Sequence, residues 1–366
     1  MIAYVGVKGD QNTGGIYGFE AERRRIAPKG KLAALAGYNY MAVSQDKKYL
    51  YAAGKDEENR DLLCGYRIKE GGLLEKAGEV LLNTANDVCH LDISPDGRLA
   101  VLTDFADGAV HLHPVEEGRP QALLARVPFA GSGIGPRQER SHPHSARFTP
   151  DGRYCLAADL GANAVFSVAW DLKDGCAAQV SEWKAPAAAG PRHLAFAPGG
   201  IVYVLHEITA EIGILKYCAK TGELVQIGRA SALPPMMKDY RLDPGMQIDG
   251  GAYLSAADLA VSKDGSRLYA SVRGCRNIAS FAAGQDGMLT SIGHTPSKGY
   301  TRSICLSEDG SYLIGIGEKM DDLEGMLEIF EIDSKGRAKN QSVDMAVPGA
   351  FTGTACQMET GGEKTR

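Results

Sequence analysis

One pattern recurs along the chain at nearly constant spacing, and it limits the fold more than any other feature. A short apolar strand runs into a Ser/Thr-x-Asp-Gly-like turn, and a second apolar strand leaves it. The copies are VSQDKKYLYAAG from Val43, ISPDGRLAVLTD from Ile93, FTPDGRYCLAAD from Phe148, FAPGGIVYVLHE from Phe196, VSKDGSRLYASV from Val261 and LSEDGSYLIGIG from Leu306. Their second residues stand at 44, 94, 149, 197, 262 and 307, so the spacings are 50, 55, 48, 65 and 45. Asp favours the bend and Gly accepts positive φ, as a hairpin corner requires.

A third strand follows each hairpin: LLCGYRI, AVHLHPV, AVFSVAW, EIGILKY, IASFA and MLEIFEID. A weaker fourth usually follows, such as LEKAGEVLL from Leu74. Four strands in about 50 residues, repeated, are the mark of propeller blades. No segment offers a long amphipathic helix. A pair of β-sandwiches is the alternative, but sandwiches do not demand this equal spacing.

Six hairpins still predict seven blades. The N-terminus supplies a second strand (IAYVGVKG), a third (GGIYGFE) and a fourth (RIAPKGKLAAL) with no first strand before them. The C-terminus ends in an orphan strand, FTGTACQME. Pairing the two ends completes a seventh blade and hides two sheet edges. The expectation is an all-β, seven-bladed β-propeller of four-stranded antiparallel blades, one domain over residues 1–366.

Composition narrows the setting. Hydrophobic residues make up 44% and charged residues 23% of the 366, which is globular. No run approaches the roughly 18 apolar residues of a membrane span. The start, MIAYVGVKGD, lacks a basic segment followed by a long apolar one, so no secretory signal is expected. A net charge of −5 argues against a general nucleic-acid or anionic-membrane surface. None of the eight cysteines forms a CxxC pair, which predicts reduced core residues in a cytosolic protein. A monomer or weak homodimer is expected.

In such a blade the first strand lines the central channel and the second lies outside it. The Asp-Gly turns share one face of the disc. The start of the first strand and the end of the second therefore share the opposite face. Six residues before the second position of each turn stand Asn39, Cys89, His144, Arg192, Ala257 and Arg302. One residue later come His90, His193 and Asp258. The second strands end on Lys55, Asp104, Asp159, Glu207, Arg273 and Glu318. Charge thus collects on one face, where loops of several repeats converge and pockets form. Three insertions fall there too: GSGIGPRQERSHPH (131–144), residues 231–253 with Pro234, Pro235, Met236, Met237 and Tyr240, and KMDDLEG (319–325). The second of these is a candidate lid.

The segments RQERSHPHSARFTPDGRYCLAADLG (137–161), GPRHLAFAPGGIVYVLHE (190–207) and AADLAVSKDGSRLYASVRG (256–274) carry a wider resemblance. Together, and across nearly the whole chain, the sequence resembles the lactonase family of seven-bladed propellers. That family includes bacterial 6-phosphogluconolactonase and fungal carboxymuconate lactonising enzymes. The resemblance implies a ligand surrounded by a His, an Arg, a Glu and a second Arg, which match His144, Arg192, Glu207 and Arg273. His90, Asp159, Arg302 and Glu318 complete the candidate substrate contacts. His90 also reads as structural support, with His142 and His206. The chain departs from the family at His206-Glu207 (usually Asn-Glu), Val272-Arg273 (usually Asn-Arg), the short turn at Gly199 and Gly200, and Tyr300-Thr301-Arg302 (usually Pro-Arg).

Opening a lactone needs a water nucleophile, stabilisation of the carbonyl oxygen and a proton for the leaving alkoxide. Glu207 or His144 is expected to take the proton, each with a working pKa near neutrality. Arg192 or Arg273 is expected to stabilise the oxyanion or grip a substrate anion. Asp104, Asp159 and Glu318 could instead bind calcium, but no DxDxD-like cluster occurs, so neither metal nor cofactor is expected. The expected substrate is an anionic sugar lactone, with 6-phosphogluconolactone foremost. A cycloisomerase closing a carboxymuconate-like diacid, and a non-enzymatic interaction scaffold, are the alternatives.

Overall fold

A computed structural model describes residues 1–10, 12–84, 88–237, 254–318 and 324–356. They form seven antiparallel sheets. Numbering blades by their first strands, blade 1 begins at Ala36–Val43, blade 2 at Val88–Ile93, blade 3 at Pro143–Phe148 and blade 4 at Pro191–Ala197. Blade 5 begins at Ala256–Val261, blade 6 at Tyr300–Leu306 and blade 7 at Ala350–Cys356. Each first strand neighbours those of the adjoining blades, round to blade 1 again. The runs expected as second and third strands hold those places. In blade 2 the outermost position is filled by two short pieces, Arg119–Pro120 and Ala125–Pro128.

Blade 7 is assembled from both ends of the chain. Ala350–Cys356 pairs antiparallel with Ile2–Val7, with Tyr4 opposite Thr354. Gly15–Glu22 and Arg25–Ala34 complete the sheet. Ring closure therefore replaces two open edges with one ladder of hydrogen bonds.

The Ser/Thr-x-Asp-Gly turns repeat one hydrogen-bond pattern. The hydroxyls of Ser44, Ser94, Thr149, Ser262 and Ser307 each donate to the Asp two residues on, at 2.6–2.7 Å. The fourth turn position takes positive φ, supplied by glycine at Gly97, Gly152, Gly265 and Gly310, but by Lys47 in blade 1. The serine-less copy makes a short 3-10 turn instead, Pro198–Gly200.

The core is not central but divided into seven apolar wedges, one between each neighbouring pair of blades. Strand alternation explains this. Ile2 and Tyr4 pack toward blade 1, whereas Ala3, Val5 and Val7 pack toward blade 6. Every residue of Ile2–Val7 is buried as a result. Buried tyrosines then latch blade to blade. Tyr4, Tyr203, Tyr269 and Tyr312 donate to the carbonyls of Gly72, Gly287, Gly336 and Ala21 in the next blade, at 2.8–3.1 Å.

The cysteine expectation needs correction. Among the seven described cysteines, Cys64 and Cys155 alone are buried, and Cys176 and Cys218 are exposed. An apolar run in an outer strand turns alternate residues toward solvent, so such a run does not by itself place a cysteine in the core.

Candidate active site

A β-bulge near the start of the first strand builds the site. In blade 3, Pro143 pairs with Asp159 and Ser145 with Ala158, leaving His144 as the extra residue. The same slip isolates Cys89, Arg192, Arg302 and Phe351 in blades 2, 4, 6 and 7. A bulge re-aims its extra side chain, and its repetition brings these residues together at one mouth of the channel. Residues at or just past the ends of the second strands of blades 4, 5 and 6, namely Glu207, Arg273 and Glu318, join them.

Glu207 is the hub. Its Oε2 accepts from Arg192 Nε at 2.6 Å and its Oε1 from Arg137 Nη2. Arg273 Nη2 stands 3.8 Å from Oε1, and His144 Nε2 stands 4.0 Å from Oε2. Glu318 forms a second hub, accepting from Arg273 at 2.6 Å and Arg302 at 2.9 Å. Backbone bonds hold Glu207 in place: its N–H donates to Gly190 and its carbonyl accepts from Ala256. Arg192 also donates to the carbonyl of Ala257 across the blade boundary.

Charge dominates the site's chemistry. Burial alone would raise the Glu207 carboxyl, but Arg137, Arg192 and Arg273 outweigh it and hold the group well below the usual carboxylate range. For Glu318, Arg302 and Arg273 likewise overcome burial and lower the carboxyl. Burial, and then the Arg192 charge, push the His144 imidazole well below its ordinary value against the pull of Glu207. Burial brings Arg192 down to about 10; Glu207 opposes this, and Arg273 and Arg302 add repulsion. Neither candidate base is tuned toward neutrality, contrary to the expectation from sequence. Near pH 7 the site holds an ionised Glu207 and a neutral His144.

The chain belongs to the seven-bladed β-propeller lactonase family. The profile described as "Lactonase, 7-bladed beta-propeller" matches residues 2–352. The 6-phosphogluconolactonase of Bacillus subtilis (strain 168) is 29% identical over 355 residues, 95% of this chain and 96% of that one. A Lactobacillus plantarum crystal structure superposes with a TM-score of 0.82 at 25% identity, covering 95% of this chain and 97% of that one. The Pseudomonas aeruginosa periplasmic gluconolactonase PpgL superposes at 0.81 and 22% identity, covering 96% and 98%, and shares the fold.

Within this lactonase-family propeller, the structure brings together His144, Arg192, Glu207 and Arg273, with Arg302 and Glu318 beside them. Two candidate contacts stand elsewhere. Asp159 is fully buried and spent on its own turn, accepting from Ser141 Oγ and from the N–H groups of His142 and Ala162 at 2.5–2.7 Å. None of its surface is exposed for a ligand to meet. His90 lies deeper, 4.4 Å from the Tyr40 ring and 5.4 Å from that of His193. It faces a polar cavity of about 350 Å³ at the turn-side mouth, with Arg147, Asp92 and Asp258. One step past the bulge reverses the side chain's direction. His142 bonds to the Phe105 carbonyl and Glu139, consistent with a supporting place.

Three residues at the mouth were not singled out from sequence. Arg137 comes from the 131–144 insertion, in a left-handed backbone conformation (φ 57°) beside the buried anchor Gln138. Lys8 and Phe351 occupy the blade 7 positions equivalent to Arg273 and Arg302. The remainder of the candidate lid, 238–253, and 319–323 of KMDDLEG lie outside the described residues. Among the described residues, Asp104, Asp107 and His111 form the one group close enough to hold a metal ion. Arg126 already holds both Asp107 oxygens, and His111 stands 3.3 Å from Asp107 Oδ2, so the set is not offered as a cation site.

Proposed function

We propose that this protein is a lactone hydrolase opening 6-phosphogluconolactone to 6-phosphogluconate. The observation that carries the reading is the 4.0 Å separation of His144 Nε2 from Glu207 Oε2. That gap is too long for a direct hydrogen bond and suits a water molecule shared by both atoms. His144, neutral and with a ring nitrogen toward the mouth, takes the proton as water attacks the carbonyl. Glu207 stabilises the imidazolium that forms and orients the water. It is a poor base itself, because its basicity is quenched by three guanidinium groups.

The oxyanion falls to the arginines. Arg192 commits Nε and Nη1, and its Nη2 has no protein acceptor among the described residues. A buried guanidinium donor of this kind is suited to charge that develops in the transition state. The imidazolium then returns its proton to the leaving alkoxide. Arg302, with Nε and Nη2 uncommitted among the described residues, is a candidate contact for the substrate anion. The name of the Bacillus subtilis relative supports the phosphorylated sugar as substrate.

The test is direct. Purified protein supplied with 6-phosphogluconolactone should release acid far faster than the spontaneous reaction, and should not cyclise a carboxymuconate diacid. The reverse pattern would transfer the site to the cycloisomerase reading, and turnover of neither substrate would leave a scaffold.

A further inference from the structure

We propose that His193 and Asp258 are positioning residues for His144, fixing which of its ring nitrogens carries the proton. This rests on the lactonase reading above and deepens it. A base that takes a proton from water at Nε2 needs a lone pair there, so its own proton must sit on Nδ1. Glu207 works against this, because a carboxylate oxygen 4.0 Å from Nε2 favours a proton on that nitrogen. A histidine tautomer is ordinarily set by an acceptor bonded to the other nitrogen. His144 Nδ1 is buried, and no described residue accepts a hydrogen bond from it. Two rings bound the imidazole instead, both edge-on: Phe105, with centres 5.9 Å apart, and His193, with centres 5.5 Å apart. Phe105 carries no acceptor, so of the two His193 alone can bias the proton.

His193 is itself held in one state. Its Nδ1 stands 2.8 Å from Asp258 Oδ1, and the Asp258 carboxylate also accepts from the N–H groups of Leu259 and Ile304, each at 2.9 Å. Burial brings His193 down to about 4 against the pull of Asp258, so near pH 7 the ring is neutral. The proton shared with the carboxylate belongs to Nδ1, and Nε2 keeps the lone pair. Blade 4, which carries His193, lies between blade 3 with His144 and blade 5 with Asp258. The Asp258 bond draws Nδ1 toward blade 5 and leaves the opposite ring edge, with Nε2, for blade 3. The rings of His90 and Tyr40 flank His193 at 5.4 and 6.4 Å. A lone pair held at this edge favours a proton on the buried nitrogen of His144 over one on the nitrogen at the mouth. Asp258 thus acts on the proposed base through His193, and neither residue need touch the substrate.

The experiment reads tautomer and rate separately, in the wild type, His193→Phe, Asp258→Asn and His193→Gln. Thermal melts confirm that each variant is folded. Nitrogen NMR of histidine-labelled protein at pH 7.5, with His144 assigned by its loss in His144→Gln, should show the Nδ1–H form in the wild type. His193→Phe keeps a ring in place but removes the lone pair, and Asp258→Asn removes the carboxylate that directs it. Both should populate the Nε2–H form. Their kcat for 6-phosphogluconolactone should fall about ten-fold or more with KM within a few-fold, the pattern of a histidine that loses the group setting its tautomer. The His193→Gln amide can donate to Asp258 and still offer an oxygen to His144, so this variant should keep the Nδ1–H form and most of the activity. An Nε2–H form in the wild type, or an unchanged tautomer or kcat in folded His193→Phe, would overturn the proposal. Tautomers that shift as predicted in a protein that hydrolyses no lactone would keep the positioning and sink the lactonase reading instead.

Discussion

His144 Nε2 faces Glu207 Oε2 across 4.0 Å, while the same oxygen accepts a 2.6 Å hydrogen bond from Arg192. Glu207 is therefore tied to the fold and to the proposed chemistry at once. Glu207→Gln removes the negative charge from between three arginines. Activity per folded molecule should fall about 10²-fold or more, the scale of losing one preorganised electrostatic contact to charge that develops in the transition state. Stability should fall as well, since breaking a buried ion pair costs about 3–5 kcal/mol. Denaturant unfolding beside initial-rate assays separates the two. A variant of wild-type stability would mean that the ion-pair network is not as described.

The pH profile follows from the neutral His144. A base must be unprotonated to act, and an ordinary histidine, with a pKa of about 6.5, would be mostly protonated at pH 6. Burial and Arg192 push His144 well below that value. The acid limb of kcat/KM should therefore lie below 6.5, with little loss between pH 7.5 and 6. A limb centred at 6.5 or above would contradict the arrangement.

Stability should fall with acid where other buried histidines are concerned. Burial lowers both His206 and His113 from 6.5 to about 4. The unfolded chain binds these protons first, so the penalty begins as pH falls through 6.5 and is complete below about 4. By pH 5 each site should cost roughly 2 kcal/mol. Urea unfolding at pH 7.5 and pH 5 measures this, and replacing either histidine by Gln should flatten the slope.

The closure has a sensitive point at Gly6. A Cβ there would lie 1.8 Å from the ring of Tyr38, which is fully buried and bonded to Thr352 of the C-terminal strand. Gly6→Ala should cost about 1–3 kcal/mol or more by overpacking. A melting temperature equal to that of the wild type would show that the ring and strand pack differently.

Particular residues show what the sequence could and could not reveal. The hairpins were legible because each carries its own turn chemistry, and counting six residues back from the turn reached His144, Arg192 and Arg302 as strand starts, which the structure makes bulge residues. Lys8 and Phe351 escaped because blade 7 has no such turn: its first two strands lie at opposite ends of the chain, so the count had no origin. Arg137 escaped because an insertion has no register. His90 and Asp159 were placed on the correct strands, but pattern gives position without direction. The bulge turns His90 down the channel, and nearby backbone N–H groups capture Asp159. The shifts of His144 and Glu207 were illegible for a different reason, since they depend on the summed charge of residues distant in sequence.

The most direct measurement is kcat/KM for 6-phosphogluconolactone in His144→Gln, a substitution close in size at a residue outside the direct ion pairs. The account predicts a loss of about 10²–10⁴-fold with a melting temperature near that of the wild type. Activity within a few-fold of the wild type, in a variant equally stable, would contradict it.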